Sequence, residues 1–350
     1  MKDIIERLNK NGYEAYVVGG YVRDYLLGIT SNDIDICTNA PIDEIMKIFK
    51  GEGKAFKEFY AYHIEKDGFS YDITTFRKEL KYKKNKPVEL EVAGSLGEDL
   101  LRRDFTINTF AIDNAGRLVD LLGAKKDLNS RIIKTVGNAK EKFTEDKTRI
   151  LRAIRFACTL DFDLDPEIME FIYKNNSYLL NEVSKDFKRK ELDKIFDSNG
   201  VDKFFYICNR YNLKKYLNIK YDSIVQSFNK YGIWAQIETD LPFSNKEKKI
   251  IDSIKELVSH RDITLEDFKN YDREIIYNAA SILRIHDKIK FFEEFSKLHS
   301  IIDIDFDFDS FVKLVKPSEA IKVYKLVERS IMKGLLLNRA SEIDEFIRKL

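Results

Sequence analysis

The sequence predicts an α+β domain at the start of the chain and an all-helical remainder after it. Up to about residue 140, short β-branched runs alternate with amphipathic segments, which is typical of a mixed sheet with helices. From Lys140 onward the apolar residues recur at helical spacing. The chain has 350 residues, 44% of them hydrophobic, so it can form two or three domains with cores of their own.

Composition leaves the nature of a macromolecular partner open. The 60 basic residues face 59 acidic ones, a net charge of +1, so a basic surface for RNA requires segregation of charge on the fold. Three widely spaced cysteines, Cys37, Cys158 and Cys208, favour a reducing compartment over a disulfide framework or a zinc site. No apolar run approaches the roughly 18 residues of a membrane span. We therefore expect a cytoplasmic protein with no membrane partner, and nothing in the sequence indicates an oligomeric state.

The stretch from Ala15 to Cys37 carries the first candidate site. Ala15–Val18 is a short apolar run that suits a buried strand, Gly19-Gly20 ends it, and Tyr21–Leu27 has apolar residues at helical spacing. Backbone N–H groups at such a helix start can bind an anion, because glycine has no Cβ to block its approach. Alone, a Gly-Gly pair after a strand is most often a tight turn.

Two aspartates follow in the next extended segment, Asp33-Ile34-Asp35-Ile36. Successive side chains of a strand point to opposite faces, so Asp33 and Asp35 share one face and the isoleucines share the other. Two carboxylates this close repel each other unless a cation lies between them. A D-x-D alone is most often a polar strand end, but an anion site followed by a cation site outlines a nucleotidyl-transfer centre.

The order of these features resembles that of a known family. G-G-x-x-R-D, beginning at Gly19, with a short helix and then D-x-D, is similar to the nucleotidyltransferase superfamily that includes DNA polymerase β. More narrowly, the chain resembles the class II tRNA nucleotidyltransferases and bacterial poly(A) polymerases. The resemblance implies a DNA polymerase β-like head followed by helical parts, with these boundaries: head 1–139, neck 140–200, body 201–300 and tail 301–350.

The resemblance also implies roles for the first motif. Asp33 and Asp35 are then the catalytic metal ligands of two Mg²⁺ ions, one activating the RNA 3′-hydroxyl and the other accompanying the pyrophosphate. Gly19, Gly20 and Arg23 are expected to hold the triphosphate. No covalent intermediate is needed, because positioning and charge neutralisation can carry phosphoryl transfer.

A third candidate catalytic carboxylate is Asp72. Two extended runs, Ala55–Lys66 and Phe69–Phe76, meet near Asp67-Gly68, which indicates a hairpin. Asp72 lies in the second run, where the family places an acidic residue, and a third acid on a neighbouring strand completes the ligand set of a two-metal site. A strand carboxylate that simply faces solvent is equally compatible with the sequence.

The segment Arg77–Lys86 contains six basic residues and is followed by Pro87. By composition it is a solvated loop. By resemblance it is the mobile loop that helps the site proceed from C to A addition, kept here at close to full length. We therefore expect residues 77–93 to be needed for that switch.

A second family motif, R-R-D-F-T-x-N, is present from Arg102 to Asn108. The resemblance assigns its polar residues to the nucleotide. Arg103 is expected to lie toward a phosphate, and Asp104 and Asn108 toward the ribose hydroxyls.

The family's base-recognition motif, E-D-x-x-R, follows in the helical region. Helical spacing places Glu145, Arg149 and Arg152 along one face, with Asp146 beside them. By resemblance these four residues bind the incoming nucleotide. The alternative is that Thr144 caps the helix and that the acidic residues only complement its dipole.

Hydrogen bonding explains how two of these residues could select C and A. Cytosine N4 and adenine N6 are amino donors, whereas uracil O4 and guanine O6 are acceptors. A carboxylate at Asp146 accepts from an amino group and opposes a carbonyl, and Arg149 donates to the ring nitrogen. Mismatches of buried polar groups can discriminate by up to ~10⁴-fold or more.

The resemblance is strong over residues 1–160 and weaker beyond them. It implies template-independent addition of CCA to tRNA 3′ ends from CTP and ATP, with Mg²⁺. Addition of CC only, of A only or of a poly(A) tail remains open within the same chemistry. A catalytically silent RNA-binding relative is the alternative from another class, and the intact Asp33, Asp35 and Arg103-Asp104 argue against it.

Overall fold

The computed structural model describes residues 2–295, 304–306 and 308–350, and the side chains of all of these except 178, 179, 291, 294 and 295. It divides into two units, Met1–Asn218 and Ile219–Leu350. The boundary expected between body and tail, at residues 300 and 301, lies outside the described residues. Within the described ranges, no helix is both long enough and apolar enough to cross a membrane.

The strands of the first unit form a mixed sheet, a β-hairpin and a short parallel pair. In chain order they are β1 (Ala15–Val18), β2 (Asp33–Thr38), β3 (Gly53–Phe56), β4 (Ala61–Lys66), β5 (Phe69–Thr75), β6 (Arg77–Lys83), β7 (Lys86–Val92), β8 (Ala111–Ile112), β9 (Leu118–Val119), β10 (Ile132–Ile133) and β11 (Asp163–Leu164). The sheet has the order β3-β4-β5-β2-β1-β8-β9. The mixed sheet predicted for the head is therefore confirmed.

β2 lies in the middle of this sheet and carries the two aspartates. Its isoleucines, Ile34 and Ile36, are buried, whereas Asp33 and Asp35 are exposed. This alternation confirms that the two carboxylates share one face of the strand. β2 runs parallel to β5 and antiparallel to β1.

The hairpin predicted at Asp67-Gly68 is confirmed. β4 and β5 pair antiparallel from Ala61 to Lys66, and the two turn residues have φ values of 53° and 77°. Positive φ at both central positions is the requirement of the tight turn that suits the strand twist.

The loop predicted at Arg77–Lys86 is instead a second hairpin, so that prediction was wrong. β6 and β7 pair antiparallel, and Lys84 and Asn85 form the turn with φ values of 51° and 63°. A two-stranded ribbon exposes most of its side chains to water. Basic composition therefore describes such a strand as well as it describes a loop.

Along the chain, the helices of the first unit precede, separate and follow its strands. They are α1 (Lys2–Lys10), α2 (Gly20–Leu26), α3 (Ile42–Ile48), α4 (Leu96–Leu101), α5 (Lys125–Asn129), α6 (Ala139–Glu145), α7 (Thr148–Thr159), α8 (Pro166–Asn175), α9 (Ser177–Asn181), α10 (Lys185–Phe196) and α11 (Val201–Arg210). Ile150 and Ile154, on the apolar face of α7, are buried.

The helix expected across the base-recognition motif is broken in two. α6 ends at Glu145, Asp146 has an extended backbone (φ −141°, ψ 103°), and α7 begins at Thr148. Oδ1 of Asp146 accepts hydrogen bonds from the backbone N–H and the hydroxyl of Thr148 at 2.9 and 2.6 Å. Such local bonds compete with helix continuation, so Glu145 and Arg149 lie on different helices.

Thr144 does not cap a helix as the alternative reading expected. It lies inside α6, and its hydroxyl donates to the carbonyl of Lys140 at 2.6 Å. The capping role near this motif belongs to Asp146.

The second unit is mainly helical, as predicted for the remainder of the chain. Two of its helices begin with capping boxes, at Ser244 and Thr264, which satisfy free N–H groups at their starts. Its elements are β12 (Ile219–Lys220), α12 (Lys230–Ala235), β13 (Glu238–Thr239), α13 (Asn245–Ser259), α14 (Leu265–Asn270), α15 (Arg273–Leu283), α16 (His286–Phe295), α17 (Phe308–Leu314), α18 (Pro317–Met332) and α19 (Ala340–Arg348).

Candidate active site

Gly19 brings the turn between β1 and α2 close to the aspartates. Its φ is 77°, a conformation that residues with a side chain rarely adopt. A Cβ here would lie 2.8 Å from Oδ2 of Asp35 and 3.0 Å from Nη1 of Arg103, so a side chain at this position would displace the Asp35 carboxylate. At Gly20 the nearest atom would be 3.6 Å away, which leaves room for a side chain. Gly19 is therefore the member of the pair that the site requires.

Asp33 and Asp35 line a cavity of about 330 Å³. Solvent reaches Asp35 through this cavity, but the surrounding protein removes part of its hydration and raises the pKa of its carboxyl. The Arg103 guanidinium opposes this pKa increase, and the charges of Asp33 and Asp72 add to it. The charged form of a carboxylate that lies beside two others is stabilised by a nearby cation.

Asp72 lies beside Asp35 in the parallel register of β5 and β2, and His63 lies opposite Asp72 on β4. Neighbouring strands are about 4.8 Å apart, so the three side chains form a row across the sheet. Nδ1 of His63 is 2.8 Å from Oδ1 of Asp72, and this hydrogen bond raises the pKa of His63. Asp72 therefore has a protein partner, and the turn at Asp67-Gly68 sets the register that brings the two together.

Among the described residues, four arginines line the cavity. Arg23 comes from α2, Arg103 from the R-R-D motif, and Arg152 and Arg155 from α7. The guanidinium carbons of Arg155, Arg23 and Arg152 lie 3.8, 4.8 and 5.6 Å from the centroid of the Phe156 ring. Guanidinium groups beside a carboxylate pair give the cavity the complementary charges for a phosphate chain and its cations.

Arg23 is buried and held by side chains on either side. It donates to Oδ1 of Asp24 at 2.6 and 2.9 Å and to Oδ1 of Asn108 at 2.6 Å. Asn108 in turn donates to Asp104 at 3.0 Å. The first and second family motifs are therefore joined by direct hydrogen bonds.

Asp104 forms an ion pair with Arg152, with 2.5 Å between Oδ2 and Nη2. Burial alone would raise the pKa of this carboxyl, but Arg152, the Asn108 amide and the Phe105 N–H hold it well below its usual range. Asp104 thus stays charged and ties the second motif to α7. Its expected contact with a ribose hydroxyl remains a prediction.

The base-recognition residues are only partly brought to the cavity. Arg152 lines it, whereas Glu145, Asp146 and Arg149 are not among the described residues that do so. Arg149 is buried, and its two Nη atoms donate to four oxygens: the Glu145 carboxylate at 2.9 Å, the Tyr82 hydroxyl at 2.8 Å, and the carbonyls of Lys142 at 3.1 Å and Arg102 at 3.4 Å.

The two carboxylate oxygens of Asp146 have different surroundings. Oδ1 caps α7 through Thr148, and Oδ2 lies 3.9 Å from Nε of Arg149. Burial raises the pKa of Asp146, and the hydrogen bonds from Thr148 and the charge of Arg149 act against that shift. Capping and base recognition are therefore compatible in one residue.

Several residues of the site were missed from the sequence. Arg155 and Phe156 could have been found, because they follow Arg152 by three and four positions and so lie on the same helix face. His63 could also have been found, because a two-residue turn at Asp67-Gly68 pairs it with Asp72. Tyr82 comes from β6, and no spacing along the chain connects it with Arg149.

The donor set fits a cation that is shared with a substrate. Over the part of the chain that the structure describes, no three His, Cys, Asp or Glu side chains form a complete metal site by themselves. Mg²⁺ in proteins commonly takes one or two carboxylates and fills its other positions with water and substrate phosphates. Asp33 and Asp35 on one strand face match that donor set.

Comparison with known proteins shows which proteins the chain is similar to. Residues 15–134 match the model described as the Poly A polymerase head domain. The chain is 42% identical over 193 residues to a CCA-adding enzyme of Bacillus pumilus, an alignment that covers 55% of this chain and 48% of that one. It therefore spans about half the length of this relative.

Two other CCA-adding enzymes are matched over more of their length. With the Staphylococcus aureus protein the identity is 32% over 312 residues, covering 82% of this chain and 78% of the relative. With the Streptococcus agalactiae protein the identity is 30% over an alignment of 384 positions, covering 99% of this chain and 95% of the relative.

Solved structures agree at the level of the fold. The Bacillus stearothermophilus CCA-adding enzyme in complex with CTP is 22% identical, with a TM-score of 0.71 and coverage of 99% of this chain and 96% of that one. The Thermotoga maritima CCA-adding enzyme complexed with tRNA is 21% identical, with a TM-score of 0.62 and coverage of 99% and 93%.

Proposed function

Because the chain belongs to the family of the CCA-adding enzymes, we propose that it adds C, C and A in turn to the 3′ end of tRNA, taking the nucleotides from CTP and ATP without a nucleic-acid template. One observation carries this proposal. Asp33 and Asp35 share a face of β2 and open into a cavity lined by four of the described arginines. Nucleotidyl transfer needs carboxylates for its cations and positive charge for the phosphates.

Each residue of the first two motifs is assigned to one part of the nucleotide or to its cation. Asp33 and Asp35 hold Mg²⁺, which supplies charge neutralisation at the attacking and leaving oxygens when it is bound. Gly19, Gly20 and Arg23 hold the triphosphate, and Arg103, beside Asp35, neutralises a phosphate. The ribose hydroxyls are assigned to Asp104 and Asn108, which already bond to each other.

Base selection is assigned to the segment around the α6–α7 break. Asp146 accepts from the exocyclic amino group of C or A, and Arg149 donates to the ring nitrogen. Glu145 and Arg152 support them, since Glu145 binds Arg149 and Arg152 binds Asp104.

The proposal is tested with three tRNA transcripts that end at the discriminator base, at C and at CC, each incubated with one nucleotide at a time. We expect CTP to extend the first two transcripts and ATP to extend only the third. Extension of the first two transcripts by CTP, with no extension of the third by ATP, indicates a CC-adding enzyme, and extension of the third transcript alone indicates an A-adding one. A long A tail indicates a poly(A) polymerase. No incorporation at all indicates a silent RNA-binding relative.

Asp72→Ala is expected to lower kcat for C addition by about 100-fold, because a third carboxylate in the row completes the ligand set of the proposed two-cation site. Turnover is measured with CTP at saturating Mg²⁺. His63→Ala is the matched control, since it removes the hydrogen-bond partner of Asp72 and leaves the carboxylate. Near-normal turnover of Asp72→Ala would show that Asp72 only pairs with His63 at the surface.

Deleting Leu80–Lys86 is expected to halt products at CC. The deletion keeps the pairing of Arg77–Glu79 with Leu90–Val92 and closes the shortened hairpin through Pro87. We expect CTP incorporation to change by less than about threefold and ATP incorporation to fall at least 50-fold (about 2.3 kcal/mol), because the hairpin contacts Arg149 through Tyr82. A labelled transcript resolved to single nucleotides shows the outcome. Equal slowing of C and A would contradict a switching role.

The division of the chain into a head (1–139), neck (140–200), body (201–300) and tail (301–350) is part of the same proposal. We also assign the enzyme to the cytoplasm. The three cysteines are free and buried, which is compatible with a reducing compartment.

A further inference from the structure

The tip of the hairpin formed by β6 and β7 contacts the break between α6 and α7. Oδ1 of Asn85 accepts a hydrogen bond from the backbone N–H of Lys147 at 2.9 Å. The amide nitrogen of the same side chain donates to the carbonyl of Glu182, just after α9. Lys147 lies between Asp146 and Thr148, so Asn85 holds the break itself.

Asn85 suits this contact by both backbone and side chain. Its φ of 63° is in the left-handed region, which asparagine adopts more readily than most residues with a side chain. The N–H of Lys147 lies at the start of α7, where the first N–H groups of a helix have no hydrogen-bond acceptor within the helix. The Asn85 carboxamide oxygen supplies that acceptor from another element.

The hairpin makes a second contact with the base-recognition segment through Tyr82. The Tyr82 hydroxyl accepts from Nη2 of Arg149 at 2.8 Å, and the guanidinium carbon lies 5.3 Å from the centroid of the ring. Both Nη atoms of Arg149 are engaged by the protein. If Arg149 is to donate a pair of hydrogen bonds to a base, it must exchange one of these partners, and Tyr82 is the partner that the hairpin carries.

We propose that Asn85 is a positioning residue for base selection. By accepting a hydrogen bond from the Lys147 N–H, it keeps the hairpin in contact with the α6–α7 break. This contact sets the positions of the Asp146 and Arg149 side chains when the site changes from CTP to ATP. The inference rests on the proposed function, addition of C and then A at one site. Asn85 acts through the break, so its loss alters base preference while Asp146 and Arg149 themselves are unchanged.

The test compares Asn85→Gly with Lys84→Gly. Both replace a residue of positive φ in the same turn with the residue that tolerates this conformation best, so the hairpin survives in each. We expect Asn85→Gly to lower kcat/KM for ATP on tRNA ending in CC by about fivefold to tenfold. The kcat/KM for CTP on tRNA ending at the discriminator base should stay within about twofold. Lys84→Gly should leave both values near those of the wild type.

Amide hydrogen exchange of the peptide covering residues 144–150 gives a second readout without substrate. It should be faster in Asn85→Gly and unchanged in Lys84→Gly. Equal losses for ATP and CTP, the same losses in both variants, or unchanged exchange in Asn85→Gly would overturn the inference while wild-type CCA addition stands. Absence of any nucleotide addition by the wild type would overturn the proposed function and this inference with it.

Discussion

Replacing either Asp33 or Asp35 with alanine is expected to lower kcat for nucleotide addition by at least about 1,000-fold and to leave the protein folded. Each change removes a carboxylate from the proposed cation site, where charge stabilisation contributes several kcal/mol. Stability should not suffer at Asp35. The pKa of this carboxyl is raised in the folded protein by loss of hydration and by Asp33 and Asp72, so its ionised form at pH 7 opposes folding, and its removal should keep or raise Tm.

The measurement is single-turnover addition of C over a Mg²⁺ titration, with Tm recorded for each variant. Asp43→Ala is the control, because Asp43 is a solvent-exposed carboxylate paired with Lys57 and lies outside the cavity lining. It should retain normal activity. Substantial Mg²⁺-dependent addition by either Asp33→Ala or Asp35→Ala would refute the metal assignment.

Changes at Asp146 are expected to alter which nucleotides are accepted. In Asp146→Ala, UTP and GTP should begin to be used, because the oxygen that opposes their carbonyl groups is gone. In Asp146→Asn the amide can donate to uracil O4 or guanine O6. The preference for C and A over U and G should then fall by at least about 100-fold, as expected when a hydrogen-bond partner changes from acceptor to donor.

The readout is kcat/KM for all four nucleotides. Thr148→Val is the control for the contact of Asp146 with the start of α7, since it removes the hydroxyl that donates to Asp146 at 2.6 Å and keeps the carboxylate and the bond from the backbone N–H. Its Tm should fall by a few degrees at most, with the nucleotide preference unchanged. A variant of Asp146 that is slower with all four nucleotides by one common factor would favour the capping role alone.

The parts of the site that follow from local rules were predictable from the sequence. The alternation of Asp33 and Asp35 with two isoleucines sets their shared face, because the period of a strand is two. Gly19 precedes a helix where a positive φ is needed. These features depend on residues that are neighbours along the chain.

The parts that depend on packing between elements distant in sequence were not predictable. Tyr82 contacts Arg149 across 67 positions of sequence, and no local rule connects the two. The contact of His63 with Asp72, by contrast, follows from the register that the turn at Asp67-Gly68 sets. The break at Asp146 was also missed. Helical periodicity runs through it, and the stop is visible only in the extended backbone of Asp146 and the hydrogen bonds that Thr148 donates to its carboxylate.

The chemistry of the cavity walls decides what kind of molecule could inhibit this protein. Drug-sized ligands usually bind in sites lined mainly by apolar side chains, but here arginines and aspartates dominate, with Phe156 and Tyr21 as the aromatic members. On the proposed function, a competitive inhibitor presents negative charge to Arg103 and Arg152 and a group that binds the cation held by Asp33 and Asp35. Such compounds cross cell membranes poorly, because ionised groups are costly to transfer into hydrocarbon. Neutral, permeable inhibitors therefore have to be sought at surfaces away from this cavity.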